Sequence, residues 1–228
     1  MLVNTKTNHV NNNEDYYRLS RPEICQFLPN HYSKILEIGC GEGDFRTNLS
    51  LPCEYWGVEP VSSAAENALS KLDKVLKGTY EENLSSLPDH YFDLVICNDV
   101  IEHMVDHNYF FQSIQGKLTK NACIIGSIPN VRYIKNLIEV LFEKEWRYKE
   151  SGILDNTHLR FFTEKSLKRS IIENNFEIDK FSGLNNHLKN CLSIDGIYRR
   201  LKYFPMLLIL GQDIKYLQFG MRIKPKNQ

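Results

Sequence analysis

The sequence predicts an α/β protein built on a doubly wound, mostly parallel sheet with helices on both faces. Short apolar runs of strand length alternate with amphipathic stretches of helical length along the whole chain, the signature of successive βαβ units. The first of these runs, Ile35-Leu36-Glu37-Ile38, leads straight into three alternating glycines, Gly39, Gly41 and Gly43. The fourth, Phe92-Asp93-Leu94-Val95-Ile96-Cys97, ends on the polar pair Asn98-Asp99, at the strand end where open α/β sheets place their ligands.

The 228 residues suffice for one such domain with a full core, spanning 1–228. Residues 1–13 are polar and Asn-rich, with no apolar stretch of secretory type, and are expected to form a flexible tail. A helix over Glu14–Phe27 precedes the sheet. Strands are expected at about 34–38, 54–58, 74–78, 92–97, 122–128, 176–182 and 215–223, the last antiparallel. Between them, Arg46–Leu49 opens the first crossover, Ser62–Leu72 forms the second helix, and Glu81–Leu84 makes a turn. Tyr109–Leu118, Val131–Phe142 and Glu164–Asn174 complete the helical set, the last behind the capping residue Thr163. Residues 131–162 form an insertion on the substrate side.

Composition narrows the function classes. Lys plus Arg equals Asp plus Glu, 28 each, so no global field attracts nucleic acid. The six cysteines (Cys25, Cys40, Cys53, Cys97, Cys123, Cys191) lack any C-x-x-C pair and read as reduced residues of a cytoplasmic protein. The longest apolar run, Phe204–Leu210, is too short to span a bilayer.

Glycines after a parallel strand let the chain turn sharply and bring bare amides against a nucleotide-like ligand. The dinucleotide fingerprint needs a further glycine at the sixth loop position, where Asp44 stands. Glu59 instead closes the next apolar stretch, Tyr55-Trp56-Gly57-Val58, an acidic side chain placed to accept both hydroxyls of a ribose. The Glu37-x-Gly39-x-Gly41-x-Gly43 loop with Glu59 resembles the first motif and following acidic position of class I S-adenosylmethionine-dependent methyltransferases. That resemblance covers nearly the whole chain and implies a seven-stranded Rossmann-like sheet. It also implies S-adenosyl-L-methionine as cofactor, held by Glu37, Gly39, Cys40, Gly41, Gly43, Glu59, Pro60, Thr79 and Asn98. The third strand departs from the pattern, reading Lys77-Gly78-Thr79-Tyr80 where many relatives carry an acid near the adenine.

Asp93 reads as a structural residue at the entrance of the fourth strand, whereas Asn98 and Asp99 should face the methionine end and the substrate. Asp99, Glu102 and His103 would share a face if this segment were helical. Their spacing resembles the divalent-metal ligands of ubiquinone-biosynthesis O-methyltransferases. Many similar enzymes carry a Val-Ile-Glu-His segment without a metal, which leaves hydrogen bonding at the pocket wall, or packing, as the other roles.

The insertion holds Trp146, Arg147 and Tyr148 and then Asp155-Asn156-Thr157-His158-Leu159-Arg160-Phe161-Phe162-Thr163. This last stretch resembles a segment of bacterial small-molecule methyltransferases found with polysaccharide and secondary-metabolite pathways. Either Asp155, Thr157 and Arg160 cap a turn and pair with each other, or His158 serves as a base toward the acceptor. The candidate catalytic residues are therefore His103, His158 and Asp99. Tyr16, Tyr17 and Arg18 are placed either to close over the cofactor or to pack on the sheet edge. The basic and apolar stretch Ile197–Leu210 reads as a covering helix broken at Pro205, or as a peripheral membrane contact.

The expected activity is methyl transfer to a hydroxyl of a sugar, glycan precursor or similar small molecule, by a monomer or homodimer. The rivals are a macromolecule methyltransferase and a catalytically silent cofactor-binding partner subunit.

Overall fold

A computed structural model describes residues 19–189 and 194–226. The expected 1–13 tail, Tyr16, Tyr17, Arg18 and Cys191 lie outside these residues. The seven strands are β1 (Lys34–Ile38), β2 (Glu54–Glu59), β3 (Lys74–Lys77), β4 (Phe92–Asn98), β5 (Leu118–Pro129), β6 (Phe176–Asn186) and β7 (Tyr216–Pro225), in the order β3-β2-β1-β4-β5-β7-β6. β7 runs antiparallel to both of its neighbours, β5 and β6. Among the described residues the helices are α1 (Ser62–Ala68), α2 (Tyr80–Asn83), α3 (His107–Ile114), α4 (Ile134–Ile138), α5 (Glu164–Glu173) and α6 (Ile194–Leu210), with several single 3-10 turns between them.

Period-two alternation builds a core on each face of the sheet. Leu36 and Ile38 of β1, with Val95 and Cys97 of β4, join Phe110, Phe111, Leu167 and Ile171 on one side. Ile35, Leu94 and Ile96 point the other way and pack with Ile24, Phe27 and Tyr55. Asp93 fastens the entrance of β4 to that of β1, accepting the Ser33 amide at 2.9 and 3.0 Å and the Lys34 amide at 3.0 Å. Ile38 pairs with Val58 on one side and Cys97 on the other. The ends of β1, β2 and β4 therefore stand side by side, at the point where the strand order reverses.

The helix expected over Tyr109–Leu118 runs from His107 to Ile114, with Leu118 already opening β5, and four other elements differ from the sequence expectation. The leading helix is, among the described residues, only a 3-10 turn over Pro22–Phe27, entered through Arg21 at φ +52°. The helix from Ser62 stops at Ala68 rather than Leu72, because Asp73 is drawn onto β2. Its amide donates to Tyr55 O at 2.9 Å and its carboxylate accepts the Tyr55 amide at 2.8 Å. The helix expected over Val131–Phe142 begins at Ile134 and ends in a π turn, Glu139–Glu143, since Asn130 Oδ1 holds the Arg132 amide in a turn at 3.0 Å. α6 is not broken at Pro205; the proline is exposed, on the side of a helix where the hydrogen bond it removes is least costly.

Candidate active site

A cavity of about 1270 Å³ opens over the carboxyl ends of β1, β2 and β4. Its donor side is made of turns close in sequence. Gly39 and Gly43 adopt φ of +68° and +79°, the left-handed region open to glycine. A Cβ on Gly39 would stand 2.6 Å from Val100 Cγ2, and one on Gly43 would stand 3.1 Å from Leu72 Cγ. Gly43 thus serves helix-side packing and does not border the cavity, which corrects its expected place among the cofactor contacts. Glu37, Gly39, Cys40, Gly41, Glu59, Pro60, Thr79 and Asn98 all line the cavity.

Glu59 is fixed by the backbone it faces: Gly41 N donates to Oε2 and Val61 N to Oε1, both at 2.9 Å. Those amides favour its carboxylate, while burial, the larger effect, moves its pKa up. Glu37 accepts the Tyr55 hydroxyl at 2.7 Å. Burial pushes the Glu37 carboxyl up to about 8, against the lowering effect of that hydrogen bond. Thr79 is engaged in capping α2, accepting from Glu82 N at 3.3 Å while Glu82 Oε2 takes the Thr79 amide at 2.8 Å. Asn98 completes this side with an amide whose Nδ2 and Oδ1 are both buried and without a partner in the chain. Buried polar atoms of this kind call for a partner, and a cofactor bearing amino and carboxylate groups provides one.

Asp99 behaves differently from its expected role. It has φ +53° and lies outside the single 3-10 turn Ile101–His103. Its carboxylate is held by Arg21 Nη1, by Ser127 Oγ at 2.8 Å and by Gln218 Nε2 at 2.7 Å. Arg21 also donates to Glu23 at 2.8 Å, Ser127 Oγ at 3.0 Å and Gln218 Oε1 at 3.2 Å. Asp99 lines the cavity, but it is a tethered anion that anchors the entering chain rather than a partner of Glu102 and His103. No sequence motif marked Arg21, whose partners other than Glu23 lie 78, 106 and 197 positions away.

In place of Asp99, Glu102 and His103, whose spacing only resembled a metal-ligand set, the fold brings together Glu102, His103 and His158, whose ligand atoms lie within 4.8 Å of one another. Glu102 is 1% exposed, and neither of its carboxylate oxygens has a hydrogen-bond partner. Burial, reinforced by the nearby Asp99 charge, raises its pKa well above the ordinary range. His158 Nδ1 is 2.9 Å from Ile153 O. A carbonyl can only accept, so Nδ1 carries a proton, and Nε2 lies 4.0 Å from Glu102 Oε1. The same logic applies to His103, whose Nδ1 lies 3.2 Å from Thr157 O and 3.1 Å from Thr157 Oγ1. That hydroxyl is itself 2.6 Å from Asp155 Oδ1 and donates to it. Burial first, and the adjoining His158 second, hold the pKa of His103 below its usual value.

His103 borders the cavity; His158 does not and stands behind it, ring edge to ring face at a centroid distance of 4.7 Å. This corrects the expectation that His158 meets the acceptor directly. Asp155 and Thr157 do pair in a turn, but Arg160 leaves them and donates to Leu159 O at 2.9 Å and to Val105 O. The insertion is fastened to the end of β4 through Glu102 O, which accepts the amides of Leu159 at 2.9 Å and Arg160 at 3.0 Å.

This sheet order, with a glycine turn and an acid side by side at its switch point, defines a class I S-adenosylmethionine-dependent methyltransferase. Residues 13–180 match the family described as a methyltransferase domain, and the chain belongs to that family. The chain is 26% identical over 178 residues to a ubiquinone biosynthesis O-methyltransferase of Rickettsia bellii, covering 71% of this chain and 70% of that one. A mitochondrial protein of the same name from Homo sapiens is 25% identical over 173 residues, covering 68% of this chain and 46% of the relative. Among solved structures, an Archaeoglobus fulgidus S-adenosylmethionine-dependent methyltransferase superposes with a TM-score of 0.65 at 19% identity, covering 92% and 94% of the two chains. A Mesorhizobium loti methyltransferase does so with a TM-score of 0.56 at 15% identity, covering 89% and 95%. The cofactor is S-adenosyl-L-methionine, and the donor side described above fits it.

Proposed function

We propose that the protein methylates a phenolic hydroxyl of a small aromatic acceptor, with His103 removing the hydroxyl proton. S-adenosylmethionine, when bound, supplies a methyl group already activated on a sulfonium. What the chain itself adds is alignment, exclusion of water and a base.

The observation that carries the reading is His103: a half-buried imidazole at the cavity wall, neutral at pH 7, with Nδ1 satisfied by Thr157 and Nε2 left with a lone pair. A base weaker than ordinary histidine is poorly matched to a sugar hydroxyl. It is better matched to a phenol, whose ordinary pKa is about 10. Met104, Val105 and Tyr109 give the neighbouring wall an apolar and aromatic character. The relatives named for ubiquinone biosynthesis are O-methyltransferases and lend no support to the sugar or glycan acceptor expected from the sequence. The proton passes from the acceptor oxygen to His103 Nε2 as the oxygen takes the methyl group, and His158 and Thr157 hold the ring in place. Labelled methyl transfer to a panel of simple phenols and catechols, beside monosaccharides, tests the acceptor. Transfer to the phenols is expected; transfer to the sugars alone would overturn the reading.

A second reading is favoured by the unpartnered carboxylate of Glu102. Glu102, His103 and His158 would together hold a divalent cation, and the backbone carbonyls behind each imidazole are the supports such ligands use. The cation would supply a Lewis acid for the acceptor oxygen, and His103 would then be a ligand rather than the base. Dialysis against a chelator separates the two: turnover lost and restored by magnesium or zinc selects the cation, and unchanged turnover selects the base.

A further inference from the structure

We propose that α6 is a docking helix that lies in the surface of an anionic lipid bilayer. Its inner face is accounted for: Tyr203, Met206, Leu207 and Leu210 pack with Tyr133, Ile134, Leu188 and Ile214. Its outer face is not. Ile197, Leu201, Phe204 and Leu208 follow at helical spacing and are 50%, 69%, 51% and 68% exposed, with Tyr198 and Ile209 beside them at 67% and 81%. Burial of such a stripe is the main driving force for an interfacial helix. The helix has 17 residues, and no helix among the described residues is long and apolar enough to cross a membrane. It is therefore suited to lie along the interface.

Charge selects the occupant. Over Ile194–Leu210 the sequence carries three basic residues, Arg199, Arg200 and Lys202, against one acidic residue, Asp195. A two-fold pairing of this helix with a second copy would set like charges against each other, whereas anionic headgroups neutralise them. The adjoining segment repeats the apolar exposure, with Glu139, Glu143 and Glu145 beside it. α4 packs in the same cluster as α6 through Ile134, Leu137 and Ile138, and the turn that follows exposes Leu141 and Phe142 at 52% and 68%. The inference does not depend on which acceptor the cavity takes.

The test is co-sedimentation of the full chain with vesicles of phosphatidylcholine alone or mixed with phosphatidylglycerol. Calorimetric binding of S-adenosylhomocysteine serves as the control that each variant is folded. The wild type is expected to sediment with the phosphatidylglycerol vesicles, less so in high salt. The triple change Arg199→Gln, Arg200→Gln, Lys202→Gln should weaken this by roughly 10- to 100-fold, and Leu201→Gln with Leu208→Gln should abolish it. Three results would each overturn the proposal: no sedimentation with either vesicle, equal binding to both, or a wild-type dimer that becomes monomeric in the Leu201→Gln, Leu208→Gln variant.

Discussion

The donor side and the acceptor side of the cavity are built by different means. The donor side is fastened at short range in the sequence: its bonds Gly41 to Glu59 and Tyr55 to Glu37 each span 18 positions. The acceptor side is assembled across the chain: His103 meets Thr157 at a separation of 54, and Arg21 meets Asp99 at 78 and Gln218 at 197. The donor side is stiff because glycine geometry and backbone amides set it. The acceptor side depends on side chains contributed by elements free to vary with the substrate.

The difference is open to direct attack. The largest effect is expected from Gly39→Ala. The new Cβ would meet Val100 at 2.6 Å on a backbone at φ +68°, and S-adenosylhomocysteine affinity should fall by about 100-fold or more. Calorimetry giving unchanged affinity would show that the turn does not shape the donor site. Glu59→Ala comes next: it frees the amides of Gly41 and Val61 and should weaken the same ligand by roughly 10- to 100-fold.

Arg21→Ala should separate the two sides. Removing the guanidinium leaves the mostly buried Asp99 carboxylate with Ser127 and Gln218 alone. The expected cost is about 1–3 kcal/mol of stability and roughly tenfold in kcat/KM for the acceptor, with cofactor affinity little changed. A matching loss of cofactor affinity would mean that the two sides act as one.

A further effect concerns pH. With its folded pKa at about 8 against an ordinary 4.5, the buried Glu37 keeps a proton that the unfolded chain gives up. Stability from this group is thus present below the unfolded pKa and is lost as pH rises toward about 8, by at most about 1.4 kcal/mol per pH unit. Denaturant unfolding at several pH values should show this decline in the wild type and a flatter profile in Glu37→Gln. Identical profiles would mean that Glu37 is already ionised.

The same contrast explains what was legible in the sequence. The seven strands and the pairing of Gly39-x-Gly41 with Glu59 were readable because they depend on local periodicity and on glycine's permitted backbone. Asp93 was readable because it bonds to the start of the neighbouring strand. Arg21 was not readable, since a lone arginine ahead of the sheet carries no mark of partners so far along the chain. Spacing misled at Asp99, where a positive φ turns the backbone out of the helical geometry that would have aligned it with Glu102 and His103. His158 was found through its segment, but its rank behind His103 depends on how the insertion folds back on Glu102 O. Gly43 was assigned to the ligand although its space is filled by Leu72, 29 positions on and brought back by the early end of α1.

The most direct test of His103 as the base is its replacement by glutamine, read by two assays on one preparation: calorimetry with S-adenosylhomocysteine and labelled methyl transfer to the phenol panel. Transfer should slow by about 100-fold or more with cofactor affinity unchanged. Transfer at the wild-type rate would contradict it.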